Sequence, residues 1–189
     1  MDMIIGSHNT MTYAKPRKWW YGLISPFAVC QNKTIEEQLN YGIGLFDLRV
    51  RWRKDRWVFA HGLYEVESEA PDKIIMKISD KAVPLGCDAY VRLILETSKA
   101  DEEQEKRFVE LCESLLDIPN IIYLGGNRKF DWKQIYDFGF NPNIWQPVSS
   151  MAEDVRWYEK ILPILYAVRR NKYNLGKAIF NKFSLFDFV

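Results

Sequence analysis

The chain has 189 residues, enough for one domain with a substantial core over 1–189, and its 48% hydrophobic content excludes a disordered polymer. A formal net charge of +1 gives no general basis for nucleic-acid binding. Cys30, Cys87 and Cys112 are scattered and form no CxxC pair, so they read as reduced core or surface thiols, with neither a zinc module nor a redox motif.

No apolar run is long enough to span a bilayer. The chain reaches His8 too soon for a signal peptide, so the expected location is cytoplasmic, or secreted if a leader has been removed. Met3-Ile4-Ile5, ending at Gly6, reads as a first strand. The segment from Lys15 to Phe27 mixes cations with Trp19, Trp20 and Tyr21, a combination suited either to the water–lipid boundary or to packing back on the domain.

Thr34 and Glu37 have capping-box spacing for a helix over 35–39 that ends near Gly42. Leu45 to Trp52 alternates with period 2, so Asp47, Arg49 and Arg51 share one face and Phe46, Leu48 and Val50 the other. Lys54-Asp55 makes a turn into a strand ending at His61, and 71–79 suits a helix with Pro71 in its first turn.

Tyr90 to Glu96 is a strand in which Arg92, Ile94 and Glu96 share a face. Asp101 begins an amphipathic helix with Phe108, Leu111, Cys112, Leu115 and Leu116 at helical spacing. A strand over 120–124 closes on Gly125-Gly126-Asn127-Arg128. A short helix is expected over 132–138, a strand over 144–148, a helix from Asp154 toward Arg170 kinked at Pro163, and a last strand over 183–189. This alternation predicts an α/β fold with a mainly parallel sheet, a compact, incomplete or distorted (β/α) TIM-type barrel of six or seven strands.

The polar residues gather at strand ends, where such barrels build active sites. The only two histidines, His8 and His61, both end strands. One imidazole can take a proton from a hydroxyl attacking phosphorus and the other can return one to the leaving oxygen. Arg49 can fork onto phosphate oxygens, or else pair with Asp47. Asp187 neighbours His8 if the sheet closes and can then orient it. Glu96 points to the same rim, where a lone acid is most often an ion-pair residue.

Gly-Ser-His-Asn-Thr at 6–10, Gln-Leu-x-x-Gly at 38–42, Phe-Asp-Leu-Arg at 46–49 and His-Gly at 61–62 together resemble the X-region of phosphatidylinositol-specific phospholipase C. Leu-Phe-Asp-Phe-Val at 185–189 looks like the last strand of its bacterial members. The resemblance implies a phosphodiesterase of lipid metabolism, a phosphorus–oxygen lyase using His8 as base, His61 as acid, Arg49 at the phosphate and Asp187 behind His8. Asp47 would lie in the rim network. The reaction would give a cyclic inositol phosphate and diacylglycerol from phosphatidylinositol.

The family's calcium-dependent members imply Asn9, Asp47 and Glu96 as cation ligands, but Arg49 fills the remaining acidic position, so no cofactor is expected. Arg92, Arg128 and Lys129 are further candidates for headgroup contact. The expected partners are a phospholipid or other phosphodiester and a membrane surface, with no nucleic acid. Two rivals stand beside this reading: a weak relative that binds phospholipid headgroups, and a metal-dependent glycerophosphodiesterase-like or sphingomyelinase D-like enzyme.

Overall fold

The computed structural model describes residues 3–99, 101–139, 143–178 and 181–189. Its eight strands form one sheet. Six run parallel: β1 (Ile4–Ser7), β2 (Leu45–Arg53), β5 (Ala89–Leu95), β6 (Ile121–Arg128), β7 (Ile144–Trp145) and β8 (Phe183–Phe186). Their spatial order is β6, β5, β2, β1, β8, β7. The strand β3 (Arg56–His61) folds antiparallel onto the far half of β2, and β4 (Tyr64–Glu65) pairs antiparallel with β3. The short β4 raises the strand count to eight. No pairing joins β6 to β7 among the described residues, so the barrel stays open there.

The hairpin turns where both Lys54 and Asp55 take positive φ, at 47° and 64°. Leftward of the sheet order, α3 (Pro71–Ala82) and α4 (Glu102–Leu115) connect the parallel strands. Ile74, Ile75 and Ile78 of α3 and Phe108, Leu111 and Leu115 of α4 bury one stripe each against Phe46, Leu48, Val50, Val91, Leu93 and Leu95. This is the apolar face of β2 and β5 that period 2 assigns. On the opposite face a small plug of Leu45, Leu124, Phe183 and Leu185 fills the start of the barrel. The charged residues of β2 and β5 lie beyond it toward the strand ends.

The cap of α2 (Ile35–Asn40) is the expected one: Glu37 N donates to Thr34 Oγ1 at 3.2 Å and Thr34 N to Glu37 Oε2 at 2.7 Å. Gly6 is needed for close approach. A Cβ there would stand 2.7 Å from Leu185 Cδ2 and 2.8 Å from Leu45 Cβ, because β1 is wedged between β2 and β8.

Four local expectations are corrected. Residues 132–138 are not helical: Arg128 N bonds Lys133 O and Ile135 N bonds Gly126 O, so this stretch folds back along β6 instead. The strand expected over 144–148 is only Ile144–Trp145, since Pro147 brings no ladder donor. The helix expected to kink at Pro163 is two helices, α5 (Trp157–Ile161) and α6 (Pro163–Ala178), with Leu162 extended before the proline. Leu116 lies just past the end of α4 and is exposed.

Candidate active site at the strand ends

The sheet order sets the site. Ser7 pairs with Phe186, so the next residues of each chain segment, His8 and Asp187, emerge side by side. His8 N donates to Phe186 O at 2.8 Å, and Gln31 Nε2 clasps both ends by donating to His8 O and Phe186 O. His8 Nδ1 lies 2.7 Å from Asp187 Oδ1. A carboxylate only accepts, so the proton sits on Nδ1 and the lone pair on Nε2. That lone pair accepts from Arg49 Nη2 at 2.8 Å and Asn9 Nδ2 at 3.2 Å.

Asp47 and Arg92 face each other across β2 and β5, and Arg49 follows Asp47 on the same face. Arg49 Nε donates to Asp47 Oδ2 at 2.9 Å, as does Asn9 N at 3.1 Å. Arg92 Nη1 is 3.7 Å from Asp47 Oδ1, and Arg49 Nη1 is 3.7 Å from Glu96 Oε2. Burial alone would raise the Asp47 carboxyl, but Arg49 and Arg92 outweigh it and hold the group far below the ordinary carboxylate range. Burial likewise lowers the Arg49 guanidinium, and Asp47 with Glu96 more than restores it. The pair that competes with a phosphate role for Arg49 is therefore present.

Glu96, just past β5, accepts from Gly62 N at 2.7 Å and binds Lys129 Nζ. It thereby fixes the turn after His61. The His61 ring lies 6.1 Å from that of His8 and nearly perpendicular to it. Its Nδ1 donates to Ala28 O, the last residue of α1 (Tyr21–Ala28), at 2.7 Å. Its Nε2 is thus the nitrogen free for proton transfer. Burial, then Arg49, Lys129 and His8, hold the imidazole well below its ordinary pKa.

His8, Asn9, Asp47, Arg49, Arg92, Glu96 and Asp187 are all buried, and His61 and Lys129 form the more accessible edge. A cavity of about 10 Å³ lies between Asn9, Arg49, Phe59 and His61, room for one water. Two wider grooves, of about 550 Å³ beside α2 and α3 and 580 Å³ beside α6, lie away from the histidines.

Arg128 is turned elsewhere, to Glu105 and Asp131. Tyr21, expected at an interface, is only 3% exposed and packs on Tyr64 because α1 turns it inward, whereas Trp19 is 87% and Trp20 38% exposed. Leu23 and Phe27 of α1, within the same segment, are exposed as well. Cys30 and Gln31 also reach the site; neither belongs to a spaced motif, and only the fold brings them to His8.

A hard cation is the group this kind of site could otherwise hold. Asn9 Oδ1, Asp47 Oδ1 and Glu96 Oε2 are buried without a hydrogen-bond partner, which is the oxygen chemistry such a cation uses. Two guanidinium groups already stand 3.7 Å from two of these oxygens. A divalent ion would be set against them, so the residues do not fit it.

The fold is similar to that of the phosphatidylinositol-specific phospholipase C from Listeria monocytogenes. The TM-score is 0.65 at 17% sequence identity, over 98% of this chain and 87% of that one. It is also similar to a mutant of the phosphatidylinositol-specific phospholipase C from Staphylococcus aureus, with a TM-score of 0.50 and 21% identity over 66% of this chain. The match spans only 41% of the S. aureus protein. The sequence matches no protein-family model and no curated protein. The fold is therefore a barrel-like α/β fold of the kind seen in these phospholipases. No helix among the described residues is long and apolar enough to cross a membrane.

Proposed function

We propose that the chain is a metal-independent phosphodiesterase that cleaves a phosphoinositide-like phospholipid by general acid–base catalysis. The observation that carries this reading is the His8 imidazole, with Nδ1 held by Asp187 and its Nε2 lone pair aimed into a site shared with Arg49 and His61.

In the proposed reaction a phosphodiester displaces His8 Nε2 as the partner of Arg49. The guanidinium then holds the phosphate oxygens, and the freed Nε2 takes the proton of the attacking hydroxyl. Asp187 supports the imidazolium that forms. His61 Nε2 delivers a proton to the leaving diacylglycerol oxygen, and the phosphate closes into a cyclic ester with the neighbouring inositol hydroxyl.

Charge explains how His61 can be an acid while its resting pKa is low. Of the named groups, Asp47, Glu96 and Asp187 balance Arg49, Arg92 and Lys129 with both imidazoles neutral. A bound phosphodiester adds one negative charge, and one proton on His61 restores the balance. Arg92 and Lys129 are left as headgroup contacts, while Arg128 has no such role here. Trp19, Leu23 and Phe27, beside Lys18, are the proposed lipid-facing residues.

Phosphorus NMR of the chain with phosphatidylinositol vesicles, with and without chelator, tests the reading. A cyclic inositol phosphate should form in chelator and disappear in His8→Ala. Activity that vanishes in chelator would instead favour the metal-dependent rival. No product in either condition would leave a headgroup-binding protein.

A further inference from the structure

Cys30 is 1% exposed and lies among the catalytic candidates, in a segment with no cysteine motif. Its Sγ is 3.7 Å from His61 Nδ1 and 3.8 Å from Asn9 Nδ2. Together Sγ, a nitrogen of His8 and a carboxylate oxygen of Asp187 are three donors all within 4.8 Å of one another. They come from three segments tied together by hydrogen bonds that involve the main chain. Cys30 N donates to Thr12 Oγ1 at 2.9 Å, Phe188 N to Cys30 O at 2.6 Å, and His8 N to Phe186 O at 2.8 Å.

Thiolate, imidazole and carboxylate are a donor set for zinc or cadmium, not for calcium or magnesium. Tetrahedral zinc spaces its donors by about 3.2 to 3.8 Å, between the 2.7 Å of the present His8–Asp187 contact and the 4.8 Å limit of the set. The set also differs from the three oxygens of Asn9, Asp47 and Glu96. It lies on the Asp187 edge of the imidazole, and Arg49 lies on the Nε2 edge.

We propose that His8, Cys30 and Asp187 form a binding site for a thiophilic divalent cation, and that its occupation disables His8 as a base. The binding half stands by itself, and the disabling half rests on the function proposed above.

The step balances without redox change. The Cys30 thiol gives its proton to solvent as the metal–sulfur bond forms. The His8 Nδ1 proton is replaced by the metal and reappears on Nε2. Asp187 binds as the carboxylate it already is. Two negative ligands neutralise the divalent ion, and one proton is released for each ion bound. The site's His8 Nε2 then carries a hydrogen that meets the Arg49 donor head-on, so the lone pair that would accept the substrate proton is gone.

Cadmium titration of the full chain tests this, read by the ultraviolet thiolate-to-cadmium charge-transfer band and by calorimetry in two buffers of different ionisation enthalpy. One equivalent should bind with the band present and about one proton released. Cys30→Ser should abolish the band, His8→Ala and Asp187→Asn should each weaken binding by roughly tenfold or more, and Cys87→Ser, which removes an exposed thiol, should change nothing.

The proposal is overturned by a band that survives Cys30→Ser or is lost in Cys87→Ser, or by affinity indifferent to His8→Ala and Asp187→Asn. Should Cys30→Ser fail to fold, the wild-type band and the His8→Ala titration still decide. Zinc should also inhibit lipid cleavage by the wild-type chain, reversibly on adding chelator. Cadmium binding without any cleavage activity would keep the site and reject the enzymatic reading. Cleavage without cadmium binding would do the reverse.

Discussion

At the scale of single residues, His8 is set by two partners on opposite edges of one ring. Asp187 fixes the proton on Nδ1, and Arg49 occupies the lone pair that chemistry needs. His8→Ala should lower phosphatidylinositol cleavage by about 10²–10⁴-fold. Asp187→Asn should lower it by at least about 10²-fold with the fold intact, since an amide no longer supports an imidazolium. Initial rates on vesicles, beside circular dichroism of each variant, check both. His61 yields a pH prediction. Its folded pKa is depressed below the unfolded value of about 6.5, so its contribution to stability is complete above that pH and is lost as pH falls below it. Asp47, also depressed, loses its contribution only at lower pH, below the unfolded value of about 3.9. Denaturant unfolding at several pH values should therefore show stability declining as pH falls below about 6.5, a decline that His61→Asn reduces.

At the scale of elements, tight fit governs β1. Gly6→Ala would push a methyl into Leu185 and Leu45, whose neighbouring strands are fixed by the same ladder, and should cost about 1–3 kcal/mol. Chemical denaturation measures that, and activity should fall alongside because His8 and Asp187 share this register. Elements with a strong local code were readable from residues alone: the Thr34–Glu37 box, the Lys54-Asp55 turn, and the alternation that puts Asp47, Arg49 and Arg92 on one face. Misreadings came where tertiary bonds overrule local preference. The stretch after Trp132 has helix-compatible residues, yet Gly126 and Arg128 draw it back along β6. Tyr21 has an interfacial side chain, yet the helical turn it begins points it at Tyr64. His8, Asp47, Arg49 and His61 were legible as a group because they stand at or near strand ends in the first third of the chain, and Asp187 because it ends the last strand motif. Cys30 was not, because nothing local distinguishes it from a core thiol.

At the scale of the molecule, the exposed apolar residues on and just before α1 and the site meet at one helix. Trp19, Leu23 and Phe27 are exposed, and the last carbonyl of α1 holds His61. Trp19→Ala combined with Leu23→Ala should weaken binding to phosphatidylinositol vesicles by roughly tenfold or more, while cleavage of a soluble phosphodiester substrate stays unchanged. A sedimentation assay of vesicle binding, run beside that activity, checks it.

The unpaired seam between β6 and β7 makes the barrel's durability uneven. The strands that carry or lead into His8, Asp47, Arg49, Arg92 and Asp187, namely β8, β1, β2 and β5, are interior to the sheet, and the seam strands lie at its margins. Among the described residues the two-residue β7 pairs with β8 alone, so it can detach without disturbing the ladder beneath His8. In hydrogen–deuterium exchange the amides of β1, β2 and β5 should be the slowest to exchange, and those of β7 should exchange long before global unfolding. Uniform protection across all the parallel strands would mean that the molecule yields only as a whole.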